Sequence, residues 1–342
     1  MEKIKSPKNI PLLSKTLLIS LALFIALTSL NLKVNLIEIP FGFPEFIVPK
    51  DNPLTEAKIE LGKKLFFEKL LSRDSSISCA SCHNPKYAFT DGLVKAKGIK
   101  DREVTRNTPT LTNIAYNTSF LRDGVNPSLE AQVIVPIHEK NEFDFHILLA
   151  AERLKKKKEY VDLSLAAFGE VPNPKVISNA IASYERTLIS GNSRYDQFTF
   201  QKDSTALSNN ELRGMHLFNK HNCVSCHSGF NFTNGEVVNN GLYKDYTDIG
   251  KMRVTLDPKD KGAFKVPTLR NVAITAPYMH DGSIKSLEAV IDHYIRGGYD
   301  NPNKDKRIKG IKLSENNKQD LVAFLKCLTD SSFIDRLQIF LW

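Results

Sequence analysis

Apolar residues run almost unbroken from Leu17 to Leu30, behind Lys3, Lys5, Lys8 and Lys15. Basic residues followed by a short apolar run have the charge order of an export signal. No A-x-A site follows, so residues 1–35 are expected to serve as a cleaved signal or as a membrane anchor. Beyond them the pattern is helical. Ser208-Asn209-Asn210-Glu211 predicts a capping box that opens a helix running toward Cys223. Ser286-Leu287-Glu288-Ala289-Val290 begins a helix whose apolar positions recur every three to four residues, and Leu321, Phe324, Leu325 and Leu328 mark another around Cys327. Alternating runs that would predict strands are lacking. Long connections rich in Gly, Pro and Asn separate the helices, so the predicted class is all-α with extended irregular segments.

The pattern repeats. Gly62-Lys63-Lys64-Leu65-Phe66 answers Gly214-Met215-His216-Leu217-Phe218, and Pro109-Thr110-Leu111-Thr112-Asn113-Ile114-Ala115 answers Pro267-Thr268-Leu269-Arg270-Asn271-Val272-Ala273. From each Ala, the same spacing leads to Asp123-Gly124 or Asp281-Gly282, and then to Ser128-Leu129-Glu130 or Ser286-Leu287-Glu288. Register is kept without an insertion, which predicts two homologous domains, residues 36–200 and 201–342, joined near residues 190–207, where Ser, Asn and Asp are frequent.

Each half carries one Cys-x-x-Cys-His: Cys79, Cys82 and His83, then Cys223, Cys226 and His227. This is the attachment signature of c-type haem, with two thiols for the porphyrin vinyl groups and an imidazole for the iron. A thioredoxin-like pair does not require the His. A zinc site draws its Cys pairs from closer segments. Two covalent haems are therefore expected, and the fifth cysteine, Cys327, reads as a buried free thiol.

A haem with both axial positions filled carries electrons, and one with an open position reacts with peroxide. No histidine lies between residues 84 and 137, so a distal ligand for the first haem would have to come from His138, His146 or beyond. That region offers Gln132 and Glu142, on either side of Pro136. A carboxylate beside an open haem suits O–O cleavage, because a proton must pass from the near to the far peroxide oxygen. For the second haem Met279, His280, His293 and Tyr294 are all candidates.

Length and composition permit two domains with proper cores: 342 residues, 42% hydrophobic and 25% charged. The net charge of +9 does not point to nucleic acid, since residues 1–33 hold five Lys against one Glu and haem propionates would offset much of the remainder. The run Lys155 to Lys158 is expected to be a solvated helix face.

Both Cys-x-x-Cys-His sites, Arg106-Asn107-Thr108-Pro109, the Ser128–Glu142 segment, and Val266 to Asn271 with Ala276 to Gly282 together resemble the bacterial di-haem cytochrome c peroxidase family. That family includes the di-haem enzyme of methylamine utilisation, which matures a tryptophan-derived quinone. The resemblance spans roughly residues 45–330. It implies two tandem cytochrome c-like domains, a peroxidatic first haem with Gln132 and catalytic Glu142 beside it, and an electron-transfer second haem. It also implies a calcium ion between the domains, held by Asn107 and the carbonyls of Thr275 and Pro277. By the family's register Tyr294, with Met279 as the alternative, is the sixth ligand of the second haem. Relatives usually place a Trp between the haems where this chain has Arg122; its sole Trp is Trp342, and Tyr116 and Phe120 are the nearby aromatics.

The expected activity is reduction of hydrogen peroxide with electrons from a small redox protein, a cytochrome c or cupredoxin, in the periplasm. A tether to the inner membrane and a homodimer are left open. The alternatives are an oxidase acting on a partner protein, as in quinone maturation, and an electron carrier without catalysis.

Overall fold

A computed structural model describes residues 36–339. The proposed export segment, residues 1–35, and Trp342 lie outside the described residues. Nine helices of nine residues or more are present among those described: α1 Glu56–Phe66, α2 Leu129–His138, α3 Ile147–Lys155, α4 Lys158–Phe168, α5 Pro174–Glu185, α6 Asn209–Lys220, α7 Leu287–Arg296, α8 Glu315–Cys327 and α9 Ser331–Ile339. Ser128 and Ser286 cap α2 and α7 alike, each accepting from the third backbone N–H beyond it. The expected capping box from Ser208 to Glu211 opens α6.

Two apolar clusters form the core. One is built from residues such as Leu61, Phe66, Val133 and Ile181, the other from Phe218, Ile291, Leu321 and Phe324. In the first, α1 crosses α5; in the second, α6 crosses α8. The repeated glycines sit at these crossings. A Cβ on Gly62 would meet the Ala180 carbonyl oxygen at 1.9 Å, and one on Gly214 would meet that of Asp320 at 2.0 Å. Cys327 is buried at the end of α8 with a free thiol, as expected.

Two local expectations change. The chain is mostly helical but carries one antiparallel ribbon, Val237–Val238 against Phe264–Lys265, whose strands are too short to show alternation in sequence. Lys155 to Lys158 are solvated, but they bridge the end of α3 and the start of α4 rather than lining a helix face. The Ser/Asn/Asp-rich stretch where the halves are expected to join is buried at its start and exposed at residues 201–205. Ser190, Ser193 and Asp196 are buried, Asp330 accepts from Ser190 Oγ and from the backbone N–H of Gly191 and Asn192, and Asp196 pairs with fully buried Arg270. Polar residues there satisfy one another inside the protein. After α8 the chain returns, and Phe333 of α9 joins the amino-terminal cluster.

The glycine crossings give a direct expectation. Because the neighbour at each is backbone, Gly62→Ala and Gly214→Ala should each destabilise the protein by about 3 kcal/mol, the upper range for overpacking, measured by denaturant unfolding of the holoprotein.

Candidate haem sites and their surroundings

Each Cys-x-x-Cys-His forms a tight turn that delivers its His inward. His83 Nδ1 lies 2.9 Å from the Phe89 carbonyl oxygen, and His227 Nδ1 lies 3.1 Å from that of Phe232. A carbonyl can only accept, so Nδ1 carries the proton and Nε2 keeps its lone pair for a metal. Burial lowers the pKa of both rings, which favours the neutral form. Phe89 and Phe232 have left-handed backbones, with φ of 62° and 49°.

The repeated Pro-Thr-Leu motif holds these loops. Thr110 Oγ1 donates to the Ala88 carbonyl at 2.5 Å, and Thr268 Oγ1 donates to that of Asn231 at 2.6 Å, in each case one residue before the carbonyl that orients the His. The motif's Asn residues, Asn113 and Asn271, are buried and left-handed, and their backbone N–H groups bind the carbonyls of Leu188 and Leu328. Each half thereby ties its haem turn to the end of a core helix.

A cavity of about 950 Å³ is lined by both Cys-x-x-Cys-His sets. Its walls include Leu111, Leu129, Val133, Leu269, Val272 and Ile291, apolar residues suited to porphyrin faces. The four thiols are free, and burial pushes Cys82 up to about 12 and Cys223 up to about 11. The donor set is therefore two neutral imidazoles and two pairs of protonated thiols around an apolar slot, which fits two covalent haems.

The first half places Gln132 and Pro136, one turn apart on α2, on the cavity wall. Glu142 follows in the turn after the helix. Its carbonyl accepts from Ile99 N–H at 2.9 Å, and Gly98 packs so closely that a Cβ there would meet the Asn141 carbonyl at 2.0 Å. Burial, with a smaller contribution from Glu139, raises the Glu142 carboxyl to about 7. Neither His138 nor His146 lines the cavity. Their rings stack on each other, and His138 Nε2 accepts the N–H of Ile147.

In the second half Tyr294 and Met279 both line the cavity, and both meet Asn240. Cys226 and Cys223 act electrostatically on the Tyr294 phenol, which sets it beside the attachment turn. His293 turns away to the Asn240 carbonyl, and His280 stacks on Phe264 with centroids 3.8 Å apart.

One relation escaped the sequence reading although the repeat contains it. Pro109 to Pro267, Asn113 to Asn271, Asp123 to Asp281 and Ser128 to Ser286 are all 158 positions apart, and so are Pro136 and Tyr294. Backbone geometry follows the same register: Leu121 and Met279 both have positive φ, and the bridges Phe120 with Asn126 and Tyr278 with Ile284 correspond. Where the second half presents a phenol, the first presents a proline ring, which has no atom to give a metal.

Six cations, Arg106, Arg122, Arg253, Lys265, Arg307 and Lys309, also line the cavity. Arg106 makes a bidentate pair with Asp248 at 2.6 and 2.8 Å, and Arg106 and Arg253 share buried Asp123. Lys265 donates to the Ser119 carbonyl, and burial lowers it to about 8. Phe120 lies on the cavity wall, whereas Tyr116 packs outside it against Phe43 and Phe230.

Of the oxygens expected to hold calcium, the Asn107 side-chain oxygen is already taken by a cation of the chain. Arg122 donates from Nη2 to Asn107 Oδ1 and from Nε to the Asn107 carbonyl at 3.0 Å. Burial lowers Arg122 to about 10, which leaves it cationic at neutral pH. A divalent ion on Asn107 Oδ1 would stand roughly 4 Å from this charge, a repulsion of about 8 kcal/mol at an effective dielectric near 20.

The family model for di-haem cytochrome c peroxidases matches residues 56–205. The methylamine utilization protein MauG of Methylorubrum extorquens is 41% identical over 294 residues, covering 84% of this chain and 83% of its own. The cytochrome c551 peroxidase of Nitrosomonas europaea is 35% identical over 277 residues, with 79% of each chain covered. Among solved structures, a MauG-like protein associated with microbial copper homeostasis is 32% identical and superposes with a TM-score of 0.81, over 87% of this chain and 96% of that one.

The attachment roles can be tested residue by residue. The Cys79→Ser/Cys82→Ser double variant should retain a single covalent haem, and so should Cys223→Ser/Cys226→Ser, as counted by intact-protein mass and pyridine haemochrome. Two haems in either variant would refute the assignment.

Proposed function

The chain belongs to the di-haem cytochrome c peroxidase family, and from that premise we propose that it reduces hydrogen peroxide to water at its amino-terminal haem, with electrons from a small redox protein entering through the second. It would do so as two tandem cytochrome c-like domains. The observation that carries the asymmetry is the pairing of Pro136 with Tyr294 at equivalent positions. Pro136 has no donor atom to offer a metal, whereas the phenol of Tyr294, rather than the thioether of Met279, would be the second haem's further ligand. When bound, the haems supply the iron that activates peroxide and a store for the second electron.

The chain's own residues do the rest. His83 and His227 hold their Nε2 lone pairs toward the metals by donating from Nδ1. Glu142, in its ionised form, takes the proton from the near peroxide oxygen and returns it to the far one, so that water leaves. Its pKa near 7 suits both transfers at neutral pH. The Gln132 amide can hold the peroxide by hydrogen bonding. Arg106, Arg253 and Lys265 offer positive charge to haem propionates, whose carboxylates would relieve the isolation of buried Lys265.

The donor is proposed to be a cytochrome c or cupredoxin. The lysines and apolar run of residues 3–30 support a periplasmic location, and among the described residues no helix is long and apolar enough to cross a membrane.

Glu142→Gln should lower the rate of reaction with peroxide by about a hundredfold or more. The native rate should rise with pH while the carboxyl ionises and level off above about 7, whereas the variant's profile should be flat in that range. An equal rate in the variant would remove Glu142 from this role. Electron paramagnetic resonance of the ferric protein should show one high-spin and one low-spin haem, and Tyr294→Phe should alter only the low-spin signal. Two low-spin haems inert to peroxide would leave an electron carrier.

Tyr294 also favours a second reading, oxidation of a partner protein, because a phenolate stabilises ferric iron and lowers the potential of the second haem. Turnover with reduced cytochrome c and peroxide, set against oxidation of candidate partner proteins, separates the two.

A further inference from the structure

Asn107 is gripped by two equivalent turns, one from each repeat. The turn from Leu121 to Gly124 sends Arg122 to its side-chain oxygen and carbonyl, and the turn from Met279 to Gly282 offers the His280 carbonyl to its N–H at 2.9 Å. Arg122 and His280 are themselves 158 positions apart. The other end of the Asn107 amide, Nδ2, donates to the Leu93 carbonyl at 2.9 Å, so the side chain cannot turn over without losing both bonds. Thr275 and Pro277, the other oxygens of the expected calcium site, line the same cavity.

We propose that the Arg122 guanidinium replaces the calcium ion expected between the two haem regions, so that a cation tethered to the chain joins them in place of an exchangeable metal. A guanidinium is a planar fork of donors. Here it meets one of the expected ligand atoms, Asn107 Oδ1, together with the Asn107 carbonyl and, at 3.3 Å, the Thr108 carbonyl. Arg106 opposes a further positive charge beside Arg122, while Asp281 and Asp91 favour the guanidinium; the two carboxylates also accept from Tyr243 OH at 2.5 Å and Thr108 Oγ1 at 2.9 Å. Asp248 on the cavity wall and buried Asp123 are paired with Arg106, and Asp123 also with Arg253. The single change at position 122 would thus remove both an aromatic group and a metal.

The inference does not rest on the peroxidase reading, because calcium content is measured whatever the protein oxidises. The di-haem holoprotein, freed of loose ions by gel filtration, should contain far less than one equivalent of calcium by plasma mass spectrometry. Titration with calcium chloride should give only heat of dilution, and dialysis against EGTA should leave the haem spectrum unchanged. One tightly held equivalent that EGTA removes would overturn the proposal. Arg122→Ala should acquire one calcium equivalent while Arg122→Lys, which keeps the charge, should not. A folded Arg122→Ala holoprotein that ignores calcium would equally overturn it, and should that variant fail to fold, the native titration decides.

Discussion

The structure turns on one hydrogen bond made twice, from an imidazole Nδ1–H to a backbone carbonyl six residues on in the first half and five in the second. The bond selects the tautomer and aims the lone pair. Its acceptor is in turn held by a left-handed backbone, a threonine hydroxyl one residue earlier and an asparagine that anchors the motif to a core helix. Removing any layer leaves the next without its purpose. This explains why the most repetitive parts of the sequence are loops, which elsewhere are the parts free to drift.

On this common frame three differences between the halves concern what faces the cavity. Pro136 faces Tyr294 in register, Gln132 faces Val290, and Arg122 faces His280. Each change concerns what a side chain can donate: no ligand atom against a phenol, an amide against an aliphatic group, a permanent charge against a ring that burial keeps neutral. At these positions the repeated turns keep their backbone geometry, and the difference lies in the side chains.

The haem turns, the helices that flank them and the repeat were legible in the sequence because covalent attachment demands fixed spacing and register survives as arithmetic. The same arithmetic held the pairing of Pro136 with Tyr294, which needed only to be carried eight residues past Ser128 and Ser286. Other features were not legible. Arg122 and Asn107 are close only through space, and nothing in either residue announces the other. Ser190, Ser193 and Asp196 look like linker residues by composition, since sequence reports polarity and not whether a partner waits inside. His138 and His146 could have been aimed at a metal; only the path of α2 and α3 turns them outward.

The last helix sends Phe333 back into the core begun by Leu61, where it lies 6.2 Å from Phe89, the residue whose carbonyl steadies His83. The amino-terminal core, and with it the packing behind the carbonyl that steadies His83, is thus complete only once α9 has docked, however early the rest of that half takes shape.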